Sequence, residues 1–301
     1  MVDFFHSNGK LLFTGEYVVL DGALSLAVPT KYGQTLEIIS SKKEGIEWIS
    51  LDDNGNSWFD AHFSLKEFEP TNVGNSISKT LSNILKEAQN LNPTFLGDIK
   101  GIQVKTKLDF PRNWGLGSSS TLINNIAQWA KVDAFTLLEK SFGGSGYDIA
   151  AAQHDLPILY QRKKARPIIK EITLKWNFTD SLFFVHLNQK KDSKEGIAHY
   201  KNIGVSRNTV QEISEIGERL WQITSLSDFE KLLNKHEQII SETIDLPTIK
   251  AQLFSDYPGT IKSLGAWGGD FVLVTGNLSW MDYFRNKGFK TIIPFNEMIR
   301  P

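Results

Sequence analysis

The 301-residue sequence predicts an α+β protein organised as two lobes. Three observations predict it. The first third alternates short apolar runs with turns, helical stripes take over in the middle, and the chain ends as glycine loop, strand, helix, strand. Strands and helices that mix without strict alternation are the α+β pattern. The length suffices for a core in each lobe, with a boundary expected near residue 175, giving lobes over 1–174 and 175–301.

Residues 10–20 and 24–28 read as strands around Asp21-Gly22. Residues 35–40, 46–51 and 58–59 continue in the same manner, with Asp52-Asp53-Asn54-Gly55 as a hairpin turn. Over 76–88, Ile77, Leu81, Ile84, Leu85 and Ala88 form one helical stripe. Residues 99–108 alternate again as a strand. The next helix covers 118–131, with Leu122, Ile126, Trp129 and Ala130 on its buried side, and shorter helical pieces follow over 134–141 and 147–153. Residues 168–174 and 181–187 read as strands around a turn near Asn177. Two amphipathic helices, 207–224 and 227–241, precede the closing strand 271–275, helix 279–287 and strand 290–294.

Composition removes several function classes. Lys plus Arg total 33 against 34 for Asp plus Glu, a net charge of −1 that supplies no field for nucleic acid or an anionic membrane. The one dense basic cluster, Gln161-Arg162-Lys163-Lys164-Ala165-Arg166, reads as a solvated loop or strand edge. The absence of cysteine excludes disulfides, thiolate metal sites and cysteine nucleophiles. The first residues lack the basic start and apolar run of a secretory signal, and no stretch reaches the roughly 18 apolar residues of a spanning helix. The expectation is a cytoplasmic protein that binds neither nucleic acid nor membrane.

Four segments carry candidate chemistry. The first is Pro111-Arg112-Asn113-Trp114-Gly115-Leu116-Gly117-Ser118-Ser119-Ser120-Thr121, directly before a helical stripe. Its glycines let backbone approach a ligand, free N–H groups at a helix start attract phosphate, and the hydroxyls can cap the helix or reach a magnesium ion. The same spacing suits a plain serine-capped helix after a glycine turn. No Walker loop, no His-Arg-Asp or Asp-Phe-Gly motif and no complete Gly-x-Gly-x-x-Gly is present. The second segment is Gly143-Gly144-Ser145-Gly146-Tyr147-Asp148, where one carboxylate follows three glycines. Asp148 suits a base that accepts a hydrogen bond from an attacking oxygen, or a helix cap. The third, Lys262-Ser263-Leu264-Gly265-Ala266-Trp267-Gly268-Gly269-Asp270, is a glycine loop feeding a buried strand, or a tight interstrand turn. The fourth is Asn8-Gly9-Lys10 with Gly15-Glu16-Tyr17; Lys10 suits a phosphate contact or a surface strand.

In this order the segments resemble the motifs of the GHMP kinases, the family of galactokinase, homoserine kinase, mevalonate kinase and phosphomevalonate kinase. Residues 9–20 look like the first motif, Gly115 to Ser119 like the second, and Gly265 to Asp270 like the third. The resemblance implies an N-terminal α/β lobe of the ribosomal protein S5-like type and a ferredoxin-like C-terminal lobe. It implies an ATP-dependent phosphotransferase acting on a small molecule, as monomer or homodimer. ATP phosphates are expected on Gly115, Leu116, Gly117, Ser118, Ser119 and Ser120, with Mg2+ near Ser119 and, at a shorter spacing than the family has, Glu139. Ser145-Gly146-Tyr147-Asp148 matches the segment of the mevalonate-kinase branch in which the carboxylate is the base, and Lys10 matches the lysine near it. Acceptor contacts are expected from Glu16, Ser145, Gly146, Gly268, Gly269 and Asp270. Lys190, Ser193 and Lys194 join them, in a stretch where relatives carry a substrate loop.

The motifs also depart from the family. Ser7-Asn8 replaces the usual Ala-Pro, Ser120 the usual Ala, and Trp267 a small residue, which would narrow the pocket. Gly268-Gly269-Asp270 and Leu159-Tyr160-Gln161 look like phosphomevalonate kinase, whereas Ser145 to Asp148 fits mevalonate kinase as well. The function implied is phosphoryl transfer to phosphomevalonate or mevalonate. A sugar or homoserine-type kinase, or a ligand-binding member without turnover, stays open.

Overall fold

The computed structural model describes residues 2–72, 74–164, 166–189 and 193–300, with only the backbone of Ser193 and Lys194. The chain divides into two compact units: residues 1–9, 32–112 and 116–153 form the first, and 10–31, 113–115 and 154–301 the second. The division does not follow a single cut near residue 175. Strands β1 (Val2–Leu12) and β2 (Ser25–Ser40) each run through both units, so the N-terminal segment contributes to each.

In the first unit, β2 pairs antiparallel with β5 (Gly101–Leu108), which pairs parallel with β3 (Gly45–Leu51). β3 turns through the expected hairpin, where Gly55 adopts φ +82°, into β4 (Ser57–Phe63). Four helices complete the unit: α1 (Ser76–Leu91), α2 (Ser118–Ala130), α3 (Ala134–Ser141) and α4 (Tyr147–Gln153). The Asn75 side chain accepts from the Ser78 N–H at the start of α1, and Asp133 does the same for Thr136 at α3, satisfying helix-end donors. Leu81, Ile84 and Leu85 of α1 join Ile123 and Ile126 of α2 against Ile46, Trp48 and Val104 of the sheet, all buried. Each fully buried side chain of this size stabilises the fold by about 1.5–3 kcal/mol.

In the second unit, the first residues of β2 pair with β6 (Ile158–Gln161), and β6 with β7 (Ile168–Glu171). A separate antiparallel sheet holds β8 (Leu182–His186), β9 (Ile261–Leu264), β10 (Phe271–Thr275) and β11 (Ile292–Pro294) in the order β11-β8-β10-β9. Helices α5 (Ser193–Ile203), α6 (Arg207–Leu220), α7 (Leu226–Ile244) and α8 (Ile249–Leu253) connect β8 to β9. Helix α9 (Met281–Asn286) connects β10 to β11, and α10 (Phe295–Met298) closes the chain. This is the ferredoxin-like arrangement expected for the C-terminal part.

Three expectations change. Residues 168–174 and 181–187 are not a hairpin, because β7 pairs with β6 while β8 joins the other sheet. Residues Val18–Asp21 form a 3-10 turn instead of continuing a strand. Residues 24–28 and 35–40 are two parts of the single strand β2.

Candidate active site

The second-motif loop enters α2 with Gly115 at φ +65° and Gly117 at φ +89°, backbone conformations that suit glycine. Gly117 is the residue before the helix and has no side chain to cap it, so the donors of the first turn stay open to an outside acceptor. Ser119 is exposed and Ser118 half-buried, whereas Ser120 is buried with its hydroxyl donating to the Gly117 carbonyl at 2.9 Å. Thr121 donates to the Gln34 side chain at 2.7 Å, which anchors the helix start to β2 within the first unit.

Within the second unit, the Lys10 ammonium donates to the Gly115 carbonyl at 3.1 Å. The Asp270 carboxylate fills the place of a Cβ at residue 115: an atom built there would lie 2.0 Å from Asp270 Oδ2. Asp270 itself holds φ +51° and is buried. Its N–H donates to the Gln189 carbonyl at 3.1 Å, and the Gln189 amide donates to the Gly268 carbonyl at 2.6 Å. The second and third motifs thus meet at Gly115 and Asp270.

In the first unit, Gly143, Gly144 and Gly146 all have positive φ, and Asp148 lies half-buried in the first turn of α4. Ser145 is half-buried and Gly146 buried beside it. Glu139 is exposed on α3. Among the described residues no group of three or more His, Asp or Glu could hold a metal ion by itself. Magnesium brought with a triphosphate needs only one or two protein ligands, and the exposed Ser119 hydroxyl suits that donor set. Lys190 lies outside the described residues, as do the side chains of Ser193 and Lys194.

Two motif residues, Glu16 and Trp267, are buried within the second unit. Glu16 is fully buried and bonded to the equally buried Lys262 ammonium, which also stands 3.1 Å from Glu237 Oε1. Glu16 therefore belongs to an internal ion cluster and not to a ligand-facing surface. Burial pushes the Glu16 carboxyl above its ordinary range against the pull of Lys262. Burial raises Glu237 to about 7, and Lys262 offsets that only in part. Burial alone would pull the Lys262 ammonium down, but the two carboxylates hold it above its ordinary value. His236 accepts the Gly15 N–H at Nε2, 2.9 Å, and burial together with Lys262 keeps it neutral. The Trp267 ring packs in a core with Val18, Tyr200, Ile213, Ile240 and Ile244, and its indole N–H donates to the Pro247 carbonyl at 3.1 Å. Neither Lys262 nor His236 has a role legible in the sequence, because a single buried polar side chain leaves no periodic signal.

No protein-family model matches this sequence, and no curated protein sequence matches it. Solved structures do. Mevalonate kinase from Methanococcus jannaschii superposes with a TM-score of 0.70 at 17% identity, covering 97% of each chain. Phosphomevalonate kinase from Streptococcus pneumoniae, in complex with phosphomevalonate and AMPPNP, gives 0.71 at 16% identity over 95% of each. The chain has the GHMP kinase fold. Within that fold the likeness extends past one substrate class. Galactokinase from Lactococcus lactis, complexed with galactose, matches at 0.64 and 13% identity over 95% of this chain and 88% of that one. Among the described residues no helix is long and apolar enough to cross a membrane.

Proposed function

We propose that this chain is an ATP-dependent small-molecule kinase of the GHMP family, transferring the γ-phosphoryl group to phosphomevalonate or mevalonate. The observation that carries the reading is the loop at Gly115–Gly117, two left-handed glycines leading into a helix start whose donors no side chain occupies. Such a backbone cradle attracts a polyphosphate. The fold shared with a phosphomevalonate kinase crystallised with AMPPNP supports it.

In this reading Ser118 and Ser119 receive the phosphates and Ser119 donates its hydroxyl to Mg2+, with Glu139 as a further candidate ligand. Magnesium-bound ATP supplies the phosphoryl group and screens its charge. Lys10 holds the loop through the Gly115 carbonyl, and Ser120 holds it from within. Asp148 accepts the hydrogen bond of the attacking hydroxyl and orients it. Ser145, Gly146, Gly268, Gly269, Asp270, Lys190, Ser193 and Lys194 are proposed for the acceptor side. The enzyme is proposed to work in the cytoplasm, as monomer or homodimer.

The test is ATP consumption by the purified chain with phosphomevalonate, mevalonate and a sugar panel. Turnover with one of the first two is expected. Turnover only with a sugar would move the chain to the galactokinase-like reading that the third structural match keeps open. ATP binding without turnover on any acceptor would make it a ligand-binding protein.

A further inference from the structure

The backbone at Tyr17 is strained. Tyr17 has φ +61° and ψ −46°, and the Val18 N–H donates to the Glu16 carbonyl at 2.7 Å. This three-residue turn with positive φ is the rare, strained form, and for a bulky aromatic residue it costs on the order of 1–3 kcal/mol. Such a conformation persists only where the surroundings over-determine it. Here they do so on every side. Gly15 before it donates to His236, and Glu16 is bonded to Lys262 of β9, the strand that leads into the third glycine loop. The Tyr17 ring stacks on Tyr200 of α5, centroids 5.7 Å apart at 22°. Its hydroxyl accepts the backbone N–H of Trp267 at 2.9 Å. The hydroxyl also fills the space of a missing side chain on α5, since a Cβ at Gly196 would lie 2.5 Å from it. Burial pushes the phenol's pKa up, so it stays neutral, able to accept from Trp267.

We propose that Tyr17 is a positioning residue: its strained turn latches the first motif to the third glycine loop and to α5, and its hydroxyl sets where residues 266–269 stand. The latch joins three segments of the second unit: the first motif, the third glycine loop and α5. Trp267 is its counterpart, anchored at the indole by Pro247 and at the backbone by Tyr17. The geometry stands on its own; its consequence for acceptor binding rests on the kinase reading above.

Tyr17→Phe removes the hydroxyl while keeping the ring, the stack and the turn. Backbone amide exchange across residues 265–270 of the full chain reads the latch without any activity. We expect protection at Trp267 to fall at least 10-fold, while amides of α7 keep wild-type rates. Unchanged protection at Trp267 would overturn the proposal. In kinetics, the acceptor KM should rise about 10-fold with ATP KM and kcat near wild type, a split that a general loss of stability would not produce. Lost protection with an unchanged acceptor KM would also overturn it, because the latch would then position nothing. Absence of turnover in the wild-type chain would count against the kinase reading alone and leave the exchange result to decide on the latch.

Discussion

Asp148 shows how one side chain supports two accounts that differ in measurable ways. It sits in the first turn of α4, where a carboxylate interacts favourably with the helix dipole, worth about 0.3–1 kcal/mol. It also follows three glycines that leave the backbone bare: Cβ atoms at Gly143 and Gly144 would meet nothing within 4 Å. Asp148→Asn keeps the shape, removes the charge and turns one acceptor oxygen into an amide donor. If Asp148 orients the acceptor hydroxyl, this variant keeps its fold and ATP affinity and loses turnover by roughly 100-fold or more. If it serves only the helix, the melting temperature drops by a degree or two and turnover stays. Measuring both on one preparation decides between them. Ser120 teaches the converse lesson: matched to a phosphate-binding motif by sequence, it spends its hydroxyl on the Gly117 carbonyl and so shapes the loop.

At the scale of elements, the loop before α2 makes a sharper demand. Valine at 117 would have to adopt φ near +89°, which a β-branched residue avoids, and would put its methyl groups where the proposed kinase function needs a triphosphate to approach the backbone. Gly117→Val should therefore weaken nucleotide binding by 10-fold or more while leaving a folded protein, as titration calorimetry alongside circular dichroism would show. Equal ATP affinity in the folded variant would make the loop structural. This loop is legible in the sequence because glycines and serines precede an apolar stripe, and α1 and α2 are legible by their period for the same reason. Other elements were hidden by their own chemistry. Helix α5 carries Gly196 in its interior, a residue that costs about 1 kcal/mol there and weakens the pattern; only the fold shows the Tyr17 hydroxyl that explains it. β6 and β9 are four-residue strands, β9 buried throughout and β6 in all but its last residue, so neither shows the alternation that marks a half-exposed strand. Val18, Val19 and Leu20 are apolar without a period, which reads equally as strand or turn. Pro29 and Gly33 break the pattern of β2, although the strand runs through both.

At the scale of the whole molecule, the buried cluster of Glu16, Lys262, Glu237 and His236 couples global stability to pH. With both carboxylates ionised the cluster would carry one excess negative charge in a site shut off from water, and Glu237 relieves it by keeping a proton up to about pH 7. The unfolded chain releases that proton near 4.5, the ordinary glutamate value. Between about pH 4.5 and 7 the folded state thus binds the proton that the unfolded state has lost, and stability from this group falls as pH rises, by on the order of 3 kcal/mol in all. His236 acts in the opposite sense: held neutral in the fold, it costs stability as pH falls below its ordinary 6.5. The two slopes oppose each other in the wild-type curve, so that curve alone reports neither. Glu237→Gln separates them, because Gln cannot ionise and leaves Lys262 with the single carboxylate of Glu16. The stability of Glu237→Gln relative to wild type, from urea unfolding at several pH values, should climb between pH 4.5 and 7 and level off above. Removing the cation instead should do the reverse: Lys262→Met leaves two buried carboxylates without their cation and should cost about 3–5 kcal/mol at pH 8. Adding Glu16→Gln to that variant should recover part of the loss. A pH-independent difference for Glu237→Gln would mean that the proton resides elsewhere in the cluster, with Glu16, whose pKa is also raised, the remaining carboxyl to carry it.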